Sequence, residues 1–325
     1  MKSGDIVSVI ITSYNSSSFI IETLESVYNQ TWENIEIIVT DDCSVDDTVE
    51  KCRAWIKKYG ERFCHSELII SEANTGVAAN ANRGLKAASG AWIKFIAADD
   101  TLLPRCIEQN MEYQETNPEV RILFSKVSIY NESFIPENFI EVTEDDSHDP
   151  RSIMHPSRNA CSQYKMLLVS DRIHYTPSAF VNRETLLSEG GYDESIKLME
   201  DYPLWLKLTG KGYKLYFMDS VTVNYRRHSK ALNNKSQNYL VNPNYFKSEN
   251  FRKQYTYPFL PDVIRHEQQL NWFLSFIFRW PQLNRDTRLN RILHKVIITH
   301  LNPFKYYLYF KRRMKKESIG NEFYY

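Results

Sequence analysis

Two adjacent carboxylates close an apolar run in the stretch KFIAADDTLLP, Lys94 to Pro104. Trp92 to Ile96 reads as a buried strand, and Asp99 and Asp100 follow it at once. Like charges side by side repel and resist burial, so they must lie in water or share a counterion. Two other apolar runs end in polar clusters: TSYN at Thr12 to Asn15, and TDDCS at Thr40 to Ser44. An aromatic ring with hydroxyls and a carboxylate suits a base and a ribose. Paired carboxylates suit a hard divalent cation that bridges phosphate oxygens. Further along, Glu200-Asp201 opens a helical pattern, and His228 follows Tyr225-Arg226-Arg227.

Taken singly, each feature has a plain structural explanation. Tyr14-Asn15 suits a strand-end turn, Asp41-Asp42 a solvated turn or helix cap, Asp99-Asp100 the start of a helix, and Glu200-Asp201 a helix-start pair. Their weight comes from the elements that would place them together. Val7–Thr12 and Ile35–Thr40 are apolar and β-branched, as buried strands are. Between them, Phe19 to Asn29 reads as a helix with Phe19, Ile20, Leu24 and Val27 on one face. Ser44, followed by acidic residues, reads as the cap of a helix running to Tyr59. Strand ELIIS, helix GVAANANRGLKAA, strand AWIKFIA, a helix from Pro104 to Thr116 and strand RILFS continue the series. Such alternation predicts an α/β fold, a mostly parallel central sheet flanked by helices. Ligands then bind beyond the carboxyl ends of the strands, where the three polar clusters fall.

A dinucleotide-binding turn or a P-loop needs glycines after the first strand, and SYNSSSF has none. A diphosphate would therefore be held through a metal ion rather than on a glycine-rich backbone. The pattern fades between Ile129 and Tyr164, a polar stretch long enough for a lid or a surface excursion. It resumes with a helix in EDYPLWLKLTGKG and strands in KLYFM and VTVNY, and ends near Asn238.

The 325 residues are 42% hydrophobic and 25% charged, with a formal net charge of +0, so no global field draws nucleic acid. Five scattered cysteines without a C-x-x-C pair suit a reducing compartment. Without a signal-peptide or membrane-spanning pattern, the expectation is a cytoplasmic chain. From Asp262 to Lys316, aromatic and basic residues mix in helical patterns, with twelve Lys and Arg against three acids. That segment suits either a peripheral membrane contact or a packing or homodimer element. In the first case Lys305, Lys311, Arg312, Arg313, Lys315 and Lys316 would face headgroups, and Phe304, Tyr307, Leu308 and Phe310 would enter the interface.

VSVIITSYNSSSFIIETLESVYNQTWENIEIIVTDDCSVDDT, then NTGVAANANRGLKAASGAWIKFIAADD, then GGYDESIKLMEDYPLWLKL with YRRH, resemble in order the inverting family 2 nucleotide-sugar glycosyltransferases. The resemblance covers roughly the first 230 residues. It implies a GT-A type fold, with residues 1–237 as the transferase domain (1–128 donor-binding, 129–237 acceptor-binding) and 238–325 as a helical extension. It implies that Thr12, Tyr14, Asn15 and Asp42 hold the base, usually uracil. Asp99 then matches a ribose and metal-shell position, Asp100 the principal ligand of Mn²⁺ or Mg²⁺, and His228 a diphosphate- or metal-proximal histidine. Asp201 matches the general base and Glu200 an orienting partner; Gly190 and Gly191 lie where backbone approaches the sugars. Many relatives carry Asp where Ala97 stands, which implies that one outer ligand is missing here, and Arg-Asn where Ala81-Asn82 stand, so the diphosphate contact falls to Arg83 or is lost; Asn82 is counted with Arg83 among the nucleotide-binding residues. The implied reaction moves a sugar from a nucleoside-diphosphate donor to a glycan or lipid-linked acceptor. A sugar nucleotidyltransferase would need a basic cluster in the first loop, which is absent. A catalytically silent binding module would have no use for both the metal pair and Asp201.

Overall fold

The structure, a computed structural model, describes residues 5–143, 147–196, 200–229, 239–314 and 321–324. It divides into two compact units, Met1–Gln163 with Ile173–His228, and Tyr164–Arg172 with Ser229–Tyr325.

The first unit alternates as the sequence predicts: β1 (Val7–Ser13), α1 (Ile20–Tyr28), β2 (Ile35–Asp41), α2 (Thr48–Tyr59), β3 (His65–Ile70), α3 (Val77–Ala87) and β4 (Trp92–Ala97). Then come β5 (Thr101–Leu102), α4 (Cys106–Thr116), β6 (Ile122–Asn131), β7 (Phe139–Thr143), α5 (Ala160–Val169, counted with the second unit from Tyr164), β8 (Phe180–Asn182), α6 (Arg183–Ser188), α7 (Asp201–Gly210) and β9 (Leu215–Arg227). The sheet order is β3-β2-β1-β4-β8-β6-β9-β5, with β7 added on β6. β1 and β2 are buried almost throughout, which is why they read as continuous apolar runs rather than alternating ones. The β3-β2-β1-β4 half is parallel, as is the β6–β9 pair. Antiparallel pairings enter where short strands join: β8 against β4 and β6, β7 against β6, and β5 against β9.

Three expectations change in detail. Ser44 does not cap α2: its hydroxyl and N–H are both donated to Asp41, so the chain stays in a turn and the helix starts at Thr48. KLYFM and VTVNY are one strand, β9, interrupted only by an irregular register opposite Ser125 to Val127. The faded stretch after Ile129 contains β7, an edge strand with exposed Phe139 and Ile140 that extends the sheet beside β6.

The parallel register brings Thr12 level with both Thr40 and Ala97, and Ser13 level with Asp41. The three polar clusters therefore meet at one edge. Underneath, Lys94 of β4 is fully buried and donates to the carbonyl of Pro177 at 2.7 Å; burial lowers its pKa to about 8.

In the second unit the main helices are Asp262–Ser275, Arg288–His300 and Pro303–Met314, around a small core of Val241, Phe246, Phe278 and Ile297. Buried Asn302 ties the turn between the last two to the first, donating to the carbonyl of Glu267 and the side chain of Asn271, both at 3.0 Å. The expected lipid-facing set is redistributed. Leu308 is buried, Phe304 packs on His266, and Lys305 points toward Glu267, while Lys315 and Lys316 lie outside the described residues. No helix among the described residues is long and apolar enough to cross a membrane.

The seat of α3 on the sheet gives a direct test of this packing. A Cβ on Gly84 would stand 2.4 Å from Ile10 Cγ2 and 3.2 Å from Thr40 Cγ2. Gly84→Ala is expected to destabilise the unit by about 1–3 kcal/mol, as overpacking does, read as a lower urea midpoint at unchanged slope. An unchanged midpoint would contradict this close approach.

Candidate active site

The loops after β1 and β2 are sewn together by their own short polar residues. Asn15 adopts φ 50°, a conformation that Asn tolerates better than most residues. Its N–H donates to Ser44 Oγ at 2.7 Å, and its side-chain oxygen accepts the Val45 N–H at 2.9 Å. Ser16 N–H reaches Thr48 and Ser17 N–H reaches Asp46, closing the same seam. Asp41, fully buried, takes Ser13 Oγ at 2.9 Å and both donors of Ser44. Asn15 and Asp41 thus shape the loops, while Tyr14 at the crest is 48% exposed and presents its ring.

Asp42, next in sequence, faces the opposite neighbour. Its carboxylate accepts Thr75 N–H and Oγ1, Gly76 N–H at 2.7 Å and Arg83 Nη2 at 2.6 Å. Burial alone would raise its pKa, but the hydrogen bonds from Thr75, Arg83 and Gly76 outweigh that and hold it below the usual carboxylate range. Arg83 is also tied to Asn80 and Thr75, so its guanidinium belongs to this ion pair.

At the end of β4 stand the paired carboxylates. Asp100 is 1% exposed; its Oδ1 accepts the Arg226 N–H at 2.8 Å, and its carbonyl accepts Thr23 Oγ1 at 2.7 Å. Burial, with the charge of Asp99 beside it, pushes the Asp100 pKa well above the ordinary value. Asp99 Oδ2 lies 3.0 Å from His228 Nε2, and His228 Nδ1 is buried with no hydrogen-bond partner among the described residues. Phe19 covers the imidazole, ring centroids 4.6 Å apart.

Arg226 was read from sequence only as positive charge, and the structure makes it the clamp of this corner. Its Nε donates to the Asp99 carbonyl at 2.8 Å, its Nη1 to the Glu132 carbonyl at 2.7 Å, and its Nη2 to Glu22. The guanidinium lies between the rings of Phe134 (4.0 Å) and Phe19 (4.8 Å), a cation–π sandwich. No local pattern marks it: its partners come from α1, the β4 end and the loop after β6.

The diacid suits a divalent cation by the chemistry of its donors. Two adjacent carboxylates, one almost wholly buried, receive a single backbone N–H and one imidazole contact among the described residues. Hard cations such as Mg²⁺ or Mn²⁺ bind through oxygen, commonly one or two carboxylates plus phosphate oxygens. Among the described residues no three His, Cys, Asp or Glu converge as a self-sufficient metal site. The arrangement fits a cation completed by a phosphate ligand.

A second carboxylate pair lies at the start of α7. Asp201 is its first residue and Glu200 precedes it, where the positive end of the helix dipole favours negative charge. Burial raises the Glu200 pKa. Tyr192 is buried, and burial, together with the charges of Asp201 and Glu200, pushes its phenol well above its ordinary value. The turn ahead of it uses Gly190 (φ 76°) and Gly191 (φ 67°), with Lys207 of α7 donating to the carbonyls of Glu189 and Gly191. Gly191 has no room for a side chain: a Cβ would meet Asn82 Oδ1 at 2.4 Å, whereas space beside Gly190 is open. Asn82 is spent bracing this turn, accepting Tyr192 N–H and donating to Tyr192 O and Glu194.

The comparisons agree with this architecture. The family model for glycosyl transferase family 2 matches residues 8–176, more than half of the chain. The Escherichia coli UDP-Glc:alpha-D-GlcNAc-diphosphoundecaprenol beta-1,3-glucosyltransferase WfaP is 29% identical over 247 residues, 75% of this chain and 86% of that protein. Two solved structures share the fold. S. aureus TarS 1–349 in complex with UDP-GlcNAc has a TM-score of 0.58 at 17% identity, over 91% of this chain and 81% of that one. The mannosyltransferase PcManGT from Pyrobaculum calidifontis, in complex with GDP-Man and Mn²⁺, has a TM-score of 0.53 at 16% identity, over 97% and 76%. The chain belongs to glycosyl transferase family 2 and is a nucleotide-sugar glycosyltransferase.

The Asp42 cluster carries a pH signature. Its carboxyl is held below the usual range, so its stabilisation is complete above the unfolded pKa of about 3.9 and is lost as pH falls through the folded value. Asp42→Asn is expected to cost about 2 kcal/mol at neutral pH, the scale of charge-assisted hydrogen bonds. In urea titrations the gap from wild type should narrow once the pH is well below the ordinary carboxylate range. A pH-independent gap would show that the carboxylate charge is not what holds Thr75, Gly76 and Arg83.

Proposed function

We propose that this protein transfers a sugar, with inversion, from a UDP donor to a hydroxyl of a glycan or lipid-linked acceptor, using Mn²⁺ or Mg²⁺ at Asp99-Asp100. The observation that carries the reading is the buried, under-partnered diacid at the edge where Tyr14 and the Asp42 cluster also stand. When bound, the cation supplies Lewis-acid stabilisation of the diphosphate leaving group. Tyr14 offers a ring to the uracil, with Thr12 and the Asp42 cluster at its edge. Asn15 supports that loop. Asp99 faces the ribose, with His228 fixing its carboxylate. Arg83 reaches the diphosphate only if its pair with Asp42 opens, so Asp42 and Arg83 act together. The open space beside Gly190 admits a sugar, while Asn82 and Gly191 hold the turn that borders it.

Asp201 is the general base. It removes the acceptor hydroxyl proton as that oxygen bonds to the anomeric carbon, and the anomeric C–O bond breaks with its electron pair going to the diphosphate. A single displacement inverts the configuration without an enzyme nucleophile. Glu200, with its raised proton affinity, orients the acceptor, and Tyr192 keeps its proton beside both carboxylates. Support for the donor and cation comes from fold neighbours holding UDP-GlcNAc in one case and GDP-Man with Mn²⁺ in the other. Support for a lipid-linked acceptor comes from WfaP, whose substrate carries diphosphoundecaprenol. On that support we read the protein as acting in bacterial surface polysaccharide synthesis, on the cytoplasmic side. Residues 1–128 serve as the donor half and 129–237 as the acceptor half.

Asp201→Asn keeps size and shape but cannot take the proton. Donor affinity should stay near wild type while kcat falls about 10²-fold or more, and the product of the wild type should show the inverted anomer by NMR. Near-normal kcat in the variant would move the base elsewhere, Glu200 first, and a retained anomer would overturn the single displacement.

A further inference from the structure

The helix Arg288–His300 packs only one face into the second unit. Ile297 joins the core with Phe278, and His294 rests its ring against Phe278 at 4.9 Å. On another face Leu289, Ile292, Leu293 and Val296 recur at i, i+3, i+4 and i+7, the spacing of a single helical stripe. That stripe is out in solvent: Leu289 is 78% exposed, Ile292 54% and Val296 43%. Scattered apolar residues on a surface need no explanation, but a continuous stripe does.

The stripe does not stop at the helix end. His300, one turn beyond Val296 and also exposed, shares a hydrogen bond with the hydroxyl of Tyr306. Tyr306 heads the exposed face of the helix Pro303–Met314, which continues through Tyr309 and Phe310, each more than half exposed. The two helices therefore present one joined apolar and aromatic surface, hinged at the His300–Tyr306 contact. Basic residues dominate along it, although Arg291 pairs with Asp286 at the foot of the first helix and Lys305 points toward Glu267. Residues 287–314 contain seven Lys and Arg and neither Asp nor Glu. Arg288 and Lys295 occupy the sector of the first helix beside the stripe, away from the core side marked by Ile297.

We infer that this two-helix surface docks on an anionic lipid bilayer. Helices that lie in a membrane interface combine an apolar face with flanking basic residues, and tyrosine suits the headgroup level because its ring is apolar and its hydroxyl wet. The excess of positive charge, with Arg288, Lys295 and Lys311 among it, favours anionic headgroups and opposes pairing of the surface with a second copy of itself. The residues that enter the lipid are Leu289, Ile292 and Val296 with Tyr309 and Phe310, a set independent of the transfer chemistry. Leu308 and Phe304 face inward and take no part.

The test uses the full chain and sedimentation with vesicles of equal parts phosphatidylglycerol and phosphatidylcholine, against phosphatidylcholine alone. The protein should sediment with the anionic vesicles at low salt and be released at high salt, because screening weakens the attraction. Lys295→Gln should weaken partitioning about fivefold, the equivalent of about 1 kcal/mol per basic residue near such a surface. The triple variant Leu289→Ser, Ile292→Ser, Val296→Ser should lose about tenfold or more, with an unchanged melting temperature and unchanged UDP affinity. Failure of the wild type to bind anionic vesicles at low salt would overturn the inference, as would wild-type binding by the triple variant. A dimer in sedimentation velocity that the triple variant abolishes would also overturn it, making the face a self-interface.

Discussion

Two adjacent carboxylates at the end of a core strand are the constraint around which the first unit is arranged. One is almost wholly buried, and the structure offsets the electrostatic cost with one backbone donor, the N–H of Arg226, and the nearby guanidinium of that buried residue. The β5–β9 pairing sets Thr101 opposite Asn224, so Arg226 arrives two residues later at the diacid. From there its side chain reaches α1 through Glu22 and the loop after β6 through the Glu132 carbonyl, while Thr23 holds Asp100 from below. Strand order, the length of β9 and the seat of α1 thus converge on one geometry. A buried guanidinium costs free energy unless its donors are satisfied, and here each nitrogen finds an acceptor. Burial and the charge of Asp99 still push the Asp100 pKa well above its ordinary value, a cost that a bound divalent cation would relieve.

The two carboxylate pairs lie in different surroundings. Asp99-Asp100 sits among aromatic rings and an imidazole, positioned to gather positive charge. Glu200-Asp201 sits at a helix start beside a buried phenol, where burial raises the proton affinity of Glu200. Burial raises the proton affinity in both pairs, at Asp100 and at Glu200, so the neighbouring groups rather than the direction of the shift distinguish them. In the proposed reaction the first pair serves the donor and the second the acceptor. Asn82 on α3 links the sheet region to the acceptor-side turn through the backbone of Tyr192.

Much of this was legible in the sequence because strands buried on both faces write themselves as unbroken β-branched runs. Val7–Thr12 and Ile35–Thr40 did so, and the parallel register then forced TSYN, TDDCS and AADD to one edge. What stayed hidden depended on partners far away in the chain. Asp41 and Asp42 look equivalent as letters, yet alternation along the strand end turns one inward to Ser13 and Ser44 and the other out to Thr75 and Arg83. Asn82 reads as a ligand residue, and in the structure its amide also braces a turn 110 residues later. Short antiparallel β8, three residues long, carries too little periodicity to be seen, and Arg226 becomes meaningful only when three separate segments are placed around it.

The central claim is that a diphosphate is held at the diacid through a cation rather than by the backbone. Calorimetric titration of UDP with Mn²⁺ present, then in EDTA, and then with Asp100→Asn in Mn²⁺, tests it most directly. The account predicts micromolar-scale binding by the wild type in Mn²⁺ and a loss of at least about tenfold (roughly 1.4 kcal/mol) in each of the other two cases. Equal UDP affinity with and without the cation, and in the variant, would contradict it.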